Sequence, residues 1–367
     1  MSKIRVGLIF GGRSAEHEVS LMSARSVLAA INKDKYEVVP IGITPSGRWV
    51  SGGDPLGLLE SAGGELPAET RAVTLVPGPE QHELVTLDGT GQTAGVDVVF
   101  PLLHGTFGED GTVQGLFELA DLPYVGAGVL GSAVAMDKAV CKTILRAEGI
   151  PVVDWLTVTR GEIELAFEDV RRKIQTALDY PLFTKPANLG SSVGVVKVHG
   201  PDALQAALVE SARYDRRVLV ERGIEAREIE LSVLGNDAPV ASVAGEIVPS
   251  REFYDYAAKY LDNASGLLIP APISDETLHA AQRLAIAAFK AIDCAGMARV
   301  DFLLDRNTGE LYVNELNTIP GFTAISMYPK LWHASGLSYP ELIDRLIQLA
   351  LERHAERRKN KTSRQDG

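Results

Sequence analysis

The chain has 367 residues, too many for one ordinary core, and its 46% hydrophobic content is ample to fill two or three. A formal net charge of −12 argues against a nucleic-acid surface or an anionic membrane, so small-molecule partners are expected. The two cysteines, Cys141 and Cys294, lack CxxC spacing and read as buried reduced thiols, and without a signal sequence or an apolar run of about 18 residues the expected location is cytoplasmic, with no membrane segment.

Residues 4–10 read as a buried parallel strand, 11–14 as a turn, and 15 to about 31 as a helix with Ser14 as candidate N-cap. Residues 51–95 are rich in glycine and proline, with short strand-like pieces at 72–76 and 84–87, as in hairpins inserted into an α/β domain. A second buried strand, 96–103, runs into His104-Gly105 and on to Gly111, and strand ends of this kind are where open α/β sheets bind ligands. The stripe Ala133, Met136, Val140, Ile144 and Ala147 predicts one helix over 132–148, with Gly149 at C′ and Pro151 beyond. From 151 to 317 strands alternate with two amphipathic helices, near 164–178 and 274–293, the pattern of α+β domains with antiparallel sheets. A terminal helix begins at Pro340 and buries Leu342, Ile343, Leu346, Ile347 and Ala350, and the basic tail after Arg353 reads as a frayed end.

Two segments bear on phosphate. Gly126-Ala127-Gly128-Val129-Leu130-Gly131 fits GxGxxG, but no full βαβ unit with an acidic residue follows, so the motif is weak support for a dinucleotide site. In 180–198 a strand ends at Lys185 and a second begins near Val195, joined by a loop holding Gly190, Ser191, Ser192 and Gly194. Small residues let backbone amides approach an anion and the lysine adds charge; an ordinary flexible hairpin is the alternative.

The run from Arg299 to Asn317 reads as two strands joined by an Asn-Thr-Gly turn. With the hairpin centred on Thr308, Asp301 opposes Glu315, Arg299 opposes Asn317, and period-2 alternation places all four on one face. Facing carboxylates beside an amide and an arginine suit Mg²⁺ held together with phosphate oxygens; a solvated hairpin, or a bulge that destroys the register, is the other reading.

Taken together these segments resemble the D-alanine-D-alanine ligases of the ATP-grasp superfamily, over nearly the whole chain. The resemblance rests on Gly11 to Ser20, His104 to Gly111, Met136-Asp137-Lys138, Lys185 to Gly194, Arg227 to Glu230, Tyr254 to Tyr260, Arg299-Val300-Asp301 and Asn314 to Thr323. Ala226 and Thr184 depart from the family pattern at positions without chemistry. It implies a three-domain fold of α/β and α+β type: an amino-terminal α/β domain (1–135), a central ATP-grasp domain (136–222) and a carboxy-terminal domain (223–367) carrying the catalytic hairpin and a lid loop, with ATP between two antiparallel sheets. The implied activity is ATP-dependent joining of two D-alanines through a D-alanyl phosphate, as a supply for peptidoglycan precursors.

The site residues follow from the same resemblance. Lys138, Lys185, Ser192 and Lys259 are expected at ATP phosphates, and Glu221, the backbone of Ile224, and Glu228 at adenine and ribose. Asp301, Glu315 and Asn317 are expected to bind two Mg²⁺ ions, or Mn²⁺, with Glu315 bridging. Glu16 is expected to hold the ammonium of the first D-alanine, although a carboxylate complementing a helix dipole is the plain reading of that position. His104 is expected near that substrate and Ser326 at the carboxylate of the second. Glu16, Ser191 and Tyr260 form a hydrogen-bonded set tying two lids to the substrate, and Arg299 with the Gly321 N–H holds the tetrahedral oxyanion. Tyr260 favours dipeptide over D-alanyl-D-lactate, and a homodimer is the expected assembly. A ligase for another amino acid and a nucleotide-binding regulator without turnover are the rival readings.

Overall fold

Strand β1 (Ile4–Gly11) is apolar on both sides, which suits a strand buried on both faces: Val6, Leu8, Ile9 and Phe10 are all fully covered. A computed structural model describes residues 2–61, 69–76, 78, 83–89, 92–248 and 266–361 of the protein. Helix α1 (His17–Ala30) crosses to β2 (Tyr36–Ile43), parallel to β1; then come β3 (Trp49–Ser51), α2 (Pro55–Glu60), β4 (Arg71–Leu75), β5 (Glu83–Thr86), β6 (Gln92–Gly95) and β7 (Val98–Pro101). They form a seven-stranded sheet in the order β6-β5-β4-β3-β2-β1-β7, so the glycine-rich stretch extends the first sheet as antiparallel strands. The expected cap of α1 is corrected. The helix starts at His17, and the Ser14 hydroxyl accepts from the Glu16 N–H at 3.1 Å, which orients Glu16 without capping the helix.

After α3 (Thr112–Leu119) the predicted helix over 132–148 proves to be two, α4 (Val129–Met136) and α5 (Lys138–Ala147). Asp137 between them is extended, with ψ of 96°, and its carboxylate accepts from the Val140 N–H at 3.0 Å as the N-cap of α5. The break changes the helical phase. Val140 is exposed, and α5 buries Ala139, Cys141, Lys142 and Leu145 instead.

The second sheet comprises β8 (Trp155–Thr159), β9 (Leu182–Pro186), β10 (Val196–Val198) and β11 (Arg217–Arg222), all antiparallel, ordered β10-β9-β11-β8. One face carries α6 (Arg160–Leu165), α7 (Phe167–Ala177) and α8 (Leu204–Ala212). The expected helix near 164–178 is split at Ala166, and α8 was not anticipated. The third sheet, ordered β14-β13-β12-β15-β16, comprises β12 (Ala226–Gly235), β13 (Val240–Val248), β14 (Gly266–Leu268), β15 (Gly296–Asp305) and β16 (Leu311–Asn317). Helix α9 (Asp275–Ala291), capped by Ser274, packs on it, followed by α10 (Met327–Ala334) and α11 (Tyr339–Arg357).

Two crossings join these layers. Leu342, Ile343, Leu346 and Ile347 of α11 share one core with Val6, Leu8 and Phe10 of β1, so the last helix covers the first sheet. Val134, Cys141 and Leu145 of α4 and α5 pack with Ile229, Leu231 and Val300 of the third sheet. The part of the tail that is described, to residue 361, does not begin as a frayed end: the last helix runs on to Arg357, Arg353 donates to the carbonyls of Gly126 and Tyr124, and His354 pairs with Asp121. Backbone crowding explains glycines of the GxGxxG run: a Cβ on Gly131 would lie 2.9 Å from the Asp293 carbonyl oxygen. A Cβ on Gly296 would lie 3.0 Å from the Gly126 nitrogen, and both residues have positive φ, so these glycines permit a close crossing of two backbones.

Candidate active site

A cleft of about 860 Å³ lies between the second and third sheets. Alternation along β9 buries Thr184 and turns Phe183 and Lys185 toward the cleft. Lys185 opposes Leu219 of β11, which makes Glu221 its diagonal neighbour, and the Lys185 ammonium reaches a Glu221 carboxylate oxygen at 3.1 Å. The other oxygen lies 3.1 Å from Lys142 of α5. Burial pushes the Glu221 carboxyl up, but Lys142 and then Lys185 outweigh it and hold it below the usual carboxylate range. Ile224, Glu228 and Ser192 line the same cleft.

Lys138 occupies the first turn of α5, where its ammonium donates to the Leu189 carbonyl at 2.8 Å and pairs with Glu315 at 3.3 Å. Asp137 fixes this turn to the facing loop: it accepts from Asn188 Nδ2 at 3.0 Å and pairs with Arg217. In that loop Ser191 and Ser192 hold φ of 52° and 57°, a left-handed conformation that costs side-chain-bearing residues about 1–3 kcal/mol each. Strained backbone of this kind points successive amides at one spot, a concavity suited to phosphate oxygens. The Ser191 hydroxyl donates to Glu16, joining the loop of the second sheet to the helix behind the first.

The hairpin pairs as expected, by an unexpected route. Leu304 opposes Leu311 and Phe302 opposes Val313, a register that would set Asp301 against Asn314. A bulge at Asn314, between the Phe302–Val313 and Asp301–Glu315 pairs, shifts it by one, so Asp301 opposes Glu315 and Arg299 opposes Asn317. Leu311 and Val313 face the core; the bulge resets the phase so that Glu315 and Asn317 face the site and Leu316 turns inward. Arg299 donates twice to Asp301, both at 2.7 Å, and lies 3.1 Å from Glu230 of β12. The Oδ1 of Asn317 is buried without a hydrogen-bond partner among the described residues, an acceptor that a cation would satisfy. No three His, Cys, Asp or Glu side chains form a metal cage among the described residues, so an ion here needs additional oxygens from a ligand.

The cleft adjoins a smaller pocket of about 160 Å³, and both are walled by Lys138, Gly190, Ser191, Glu230 and Glu315. The small pocket adds Glu16, Glu109, Arg299, Asn317, Gly321 and Ser326. The Ser326 hydroxyl lies 2.7 Å from Thr323 Oγ1 and accepts from the Thr323 N–H at 3.2 Å. Glu109 is pushed up to about 8 by burial and by the neighbouring Glu16 carboxylate, so at neutral pH it is mostly protonated while accepting from the Gly105 N–H at 2.8 Å.

Fourteen of the expected residues line these two cavities, and a fifteenth stands directly behind the walls. His104 is the one behind. Its Nδ1–H donates to the Ile319 carbonyl at 2.8 Å and Nε2 accepts from Ser23 at 3.0 Å, so it braces the segment leading to Gly321. Burial lowers its pKa, keeping the ring neutral. Lys259 and Tyr260 lie outside the described residues. The sequence reading missed Lys142, Glu230 and Glu109. Signals existed: Lys142 stands four residues after Lys138 on one helix face, and Glu230 shares strand parity with Glu228.

Residues 5–127 match the family model described as D-ala D-ala ligase N-terminus, and residues 144–348 match the one described as D-ala D-ala ligase C-terminus. A D-alanine-D-alanine ligase of Thermoanaerobacter sp. (strain X514) is 54% identical over 359 residues, which is 97% of this chain and 99% of the relative. The solved D-alanine-D-alanine ligase of Coxiella burnetii is 40% identical with a TM-score of 0.83, over 98% of this chain and 97% of that one. The solved VanG D-Ala:D-Ser ligase of Enterococcus faecalis is 37% identical with a TM-score of 0.85, over 95% of this chain and all (100%) of that one.

Proposed function

The chain belongs to the D-alanine-D-alanine ligase family, and from that premise we infer that it joins two D-alanines into D-alanyl-D-alanine at the expense of ATP, supplying peptidoglycan precursors. The observation that carries the reading is the wall the two cavities share at Glu315 and Lys138: an ATP-sized cleft adjoins a pocket of amino-acid scale that Arg299 also lines. The ATP-grasp architecture divides into an amino-terminal α/β domain (1–135), a central domain (136–222) and a carboxy-terminal domain (223–367).

A carboxylate does not acylate an amine at neutral pH until it carries a better leaving group. The γ-phosphoryl of ATP passes to a carboxylate oxygen of the first D-alanine, releasing ADP, and Lys138, Lys185 and Ser192 hold the phosphate oxygens in line. Lys259 adds a further positive charge there. Glu221, the backbone of Ile224 and Glu228 hold adenine and ribose. Asp301, Glu315 and Asn317 would hold two Mg²⁺ ions, or Mn²⁺, which supply charge neutralisation between the two anions; the orphaned Asn317 oxygen and the facing carboxylates support this assignment. Glu16 binds the ammonium of the first substrate, with His104 bracing the segment beside it. Ser326 receives the carboxylate of the second D-alanine, whose amine attacks the acyl phosphate. Arg299 and the Gly321 N–H stabilise the oxyanion of the tetrahedral intermediate, which collapses by expelling phosphate. Ser191, latched to Glu16 and completed by Tyr260, excludes water from the acyl phosphate. The protein works in the cytoplasm as a homodimer.

The test is phosphate release from ATP and Mg²⁺ with D-alanine, with L-alanine, and with D-alanine plus D-lactate or D-serine, product masses being read from the same tubes. Release with D-alanine and not L-alanine, yielding chiefly the dipeptide, is the expected result. ATP binding without D-alanine-dependent phosphate refutes the substrate assignment, and comparable ester or D-seryl product refutes the role of Tyr260.

A further inference from the structure

Lys142 has no part in the reaction as described, yet it is among the most deeply buried charges in the protein, 1% exposed. It stands one helical turn behind Lys138, behind the residues that line the cleft. Its ammonium faces one Glu221 oxygen at 3.1 Å while Lys185 faces the other at 3.1 Å. Glu221 is itself only 2% exposed. Two lysines thus share one carboxylate, so within this group of three one ammonium exceeds what Glu221 neutralises.

This arrangement bears on how Lys185 is used. A buried carboxylate holds a lone partner tightly, because losing that partner leaves an uncompensated charge in low dielectric. If Lys185 were the sole partner of Glu221, its move onto phosphate would expose that penalty. We propose that Lys142 is a positioning residue that keeps Glu221 paired when Lys185 transfers to the phosphates of ATP, so that the excess charge is delivered to the nucleotide. The proposal rests on the ATP-dependent reading given above. It predicts a selective defect: adenosine, which does not draw Lys185 away, binds without the transfer.

The test is calorimetric titration of the full-length protein and its variants with ATP-Mg²⁺ and with adenosine. Lys142→Met should weaken ATP by at least about tenfold and adenosine by less than about threefold, with Lys142→Arg restoring most of the ATP affinity. Equal losses for both ligands, or an unchanged ATP affinity, overturn the proposal. Should Lys142→Met not fold, the pair Glu221→Gln and Lys142→Met/Glu221→Gln replaces it, since the double variant removes both buried charges. Without the carboxylate, loss of Lys142 should leave ATP affinity as in Glu221→Gln alone, and a further tenfold loss refutes the proposal. These titrations need no D-alanine, so they succeed or fail separately from the substrate assignment, which wild-type phosphate release decides.

Discussion

Arg299 illustrates how one side chain is held ready at this site. Its guanidinium forks onto Asp301 and lies against Glu230, so its plane is set before any ligand arrives, and this is the condition under which a cation stabilises a developing oxyanion most. Glu230 would keep a second anchor on it if Asp301 turned to a cation. Arg299→Ala should lower kcat by about 10²–10³, the usual order for removing one transition-state donor, as read by steady-state phosphate release. A variant within a few-fold of wild type would show that the oxyanion is held elsewhere.

Among elements, the break between α4 and α5 does the most for the site. Asp137 caps α5, accepts from Asn188 and pairs with Arg217, which docks the first turn of α5, and Lys138 with it, onto the Ser191 loop. Asp137→Ala removes the cap and both ties. It should cost about 1–3 kcal/mol in thermal unfolding and raise the KM for ATP, and an unchanged KM would separate the cap from the placement of Lys138. The break was hidden in the sequence because small apolar residues run through 127–136 and satisfy several helical phases at once. What did signal it was an N-capping Asp directly before Lys138. The hairpin was legible for a different reason: Asp301, Glu315 and their neighbours pair as the sequence suggested, although the centre of symmetry assumed there was supplied by the bulge at Asn314 and not by the turn. Periodicity finds which faces are apolar; it does not count a residue that drops out of the ladder. Lys142 escaped notice because a lysine on an amphipathic helix is normally solvated, and the partner that makes its burial tolerable, Glu221, is remote in sequence.

At the scale of the whole molecule, three sheets are held together by elements that cross between them. Helix α11 contributes Leu342, Ile343, Leu346 and Ile347 to the core beneath β1, while α4 and α5 lean on the third sheet. Leu346 is fully buried, so Leu346→Ala should cost about 2–5 kcal/mol, measured as a shift in urea midpoint with the first sheet melting in the same transition as the rest. A separate early transition of the third sheet alone would show that α11 does not couple them. The return of α11 also has a consequence for how the protein is made. Chains generally fold from the amino end as they leave the ribosome, but here the core beneath Val6, Leu8 and Phe10, which Leu21, Ala24 and Val27 of α1 cover in part, is not complete until residues 342–350 have been translated. The nascent first sheet therefore spends most of the elongation time with part of one apolar face open, a surface that a chaperone would shield.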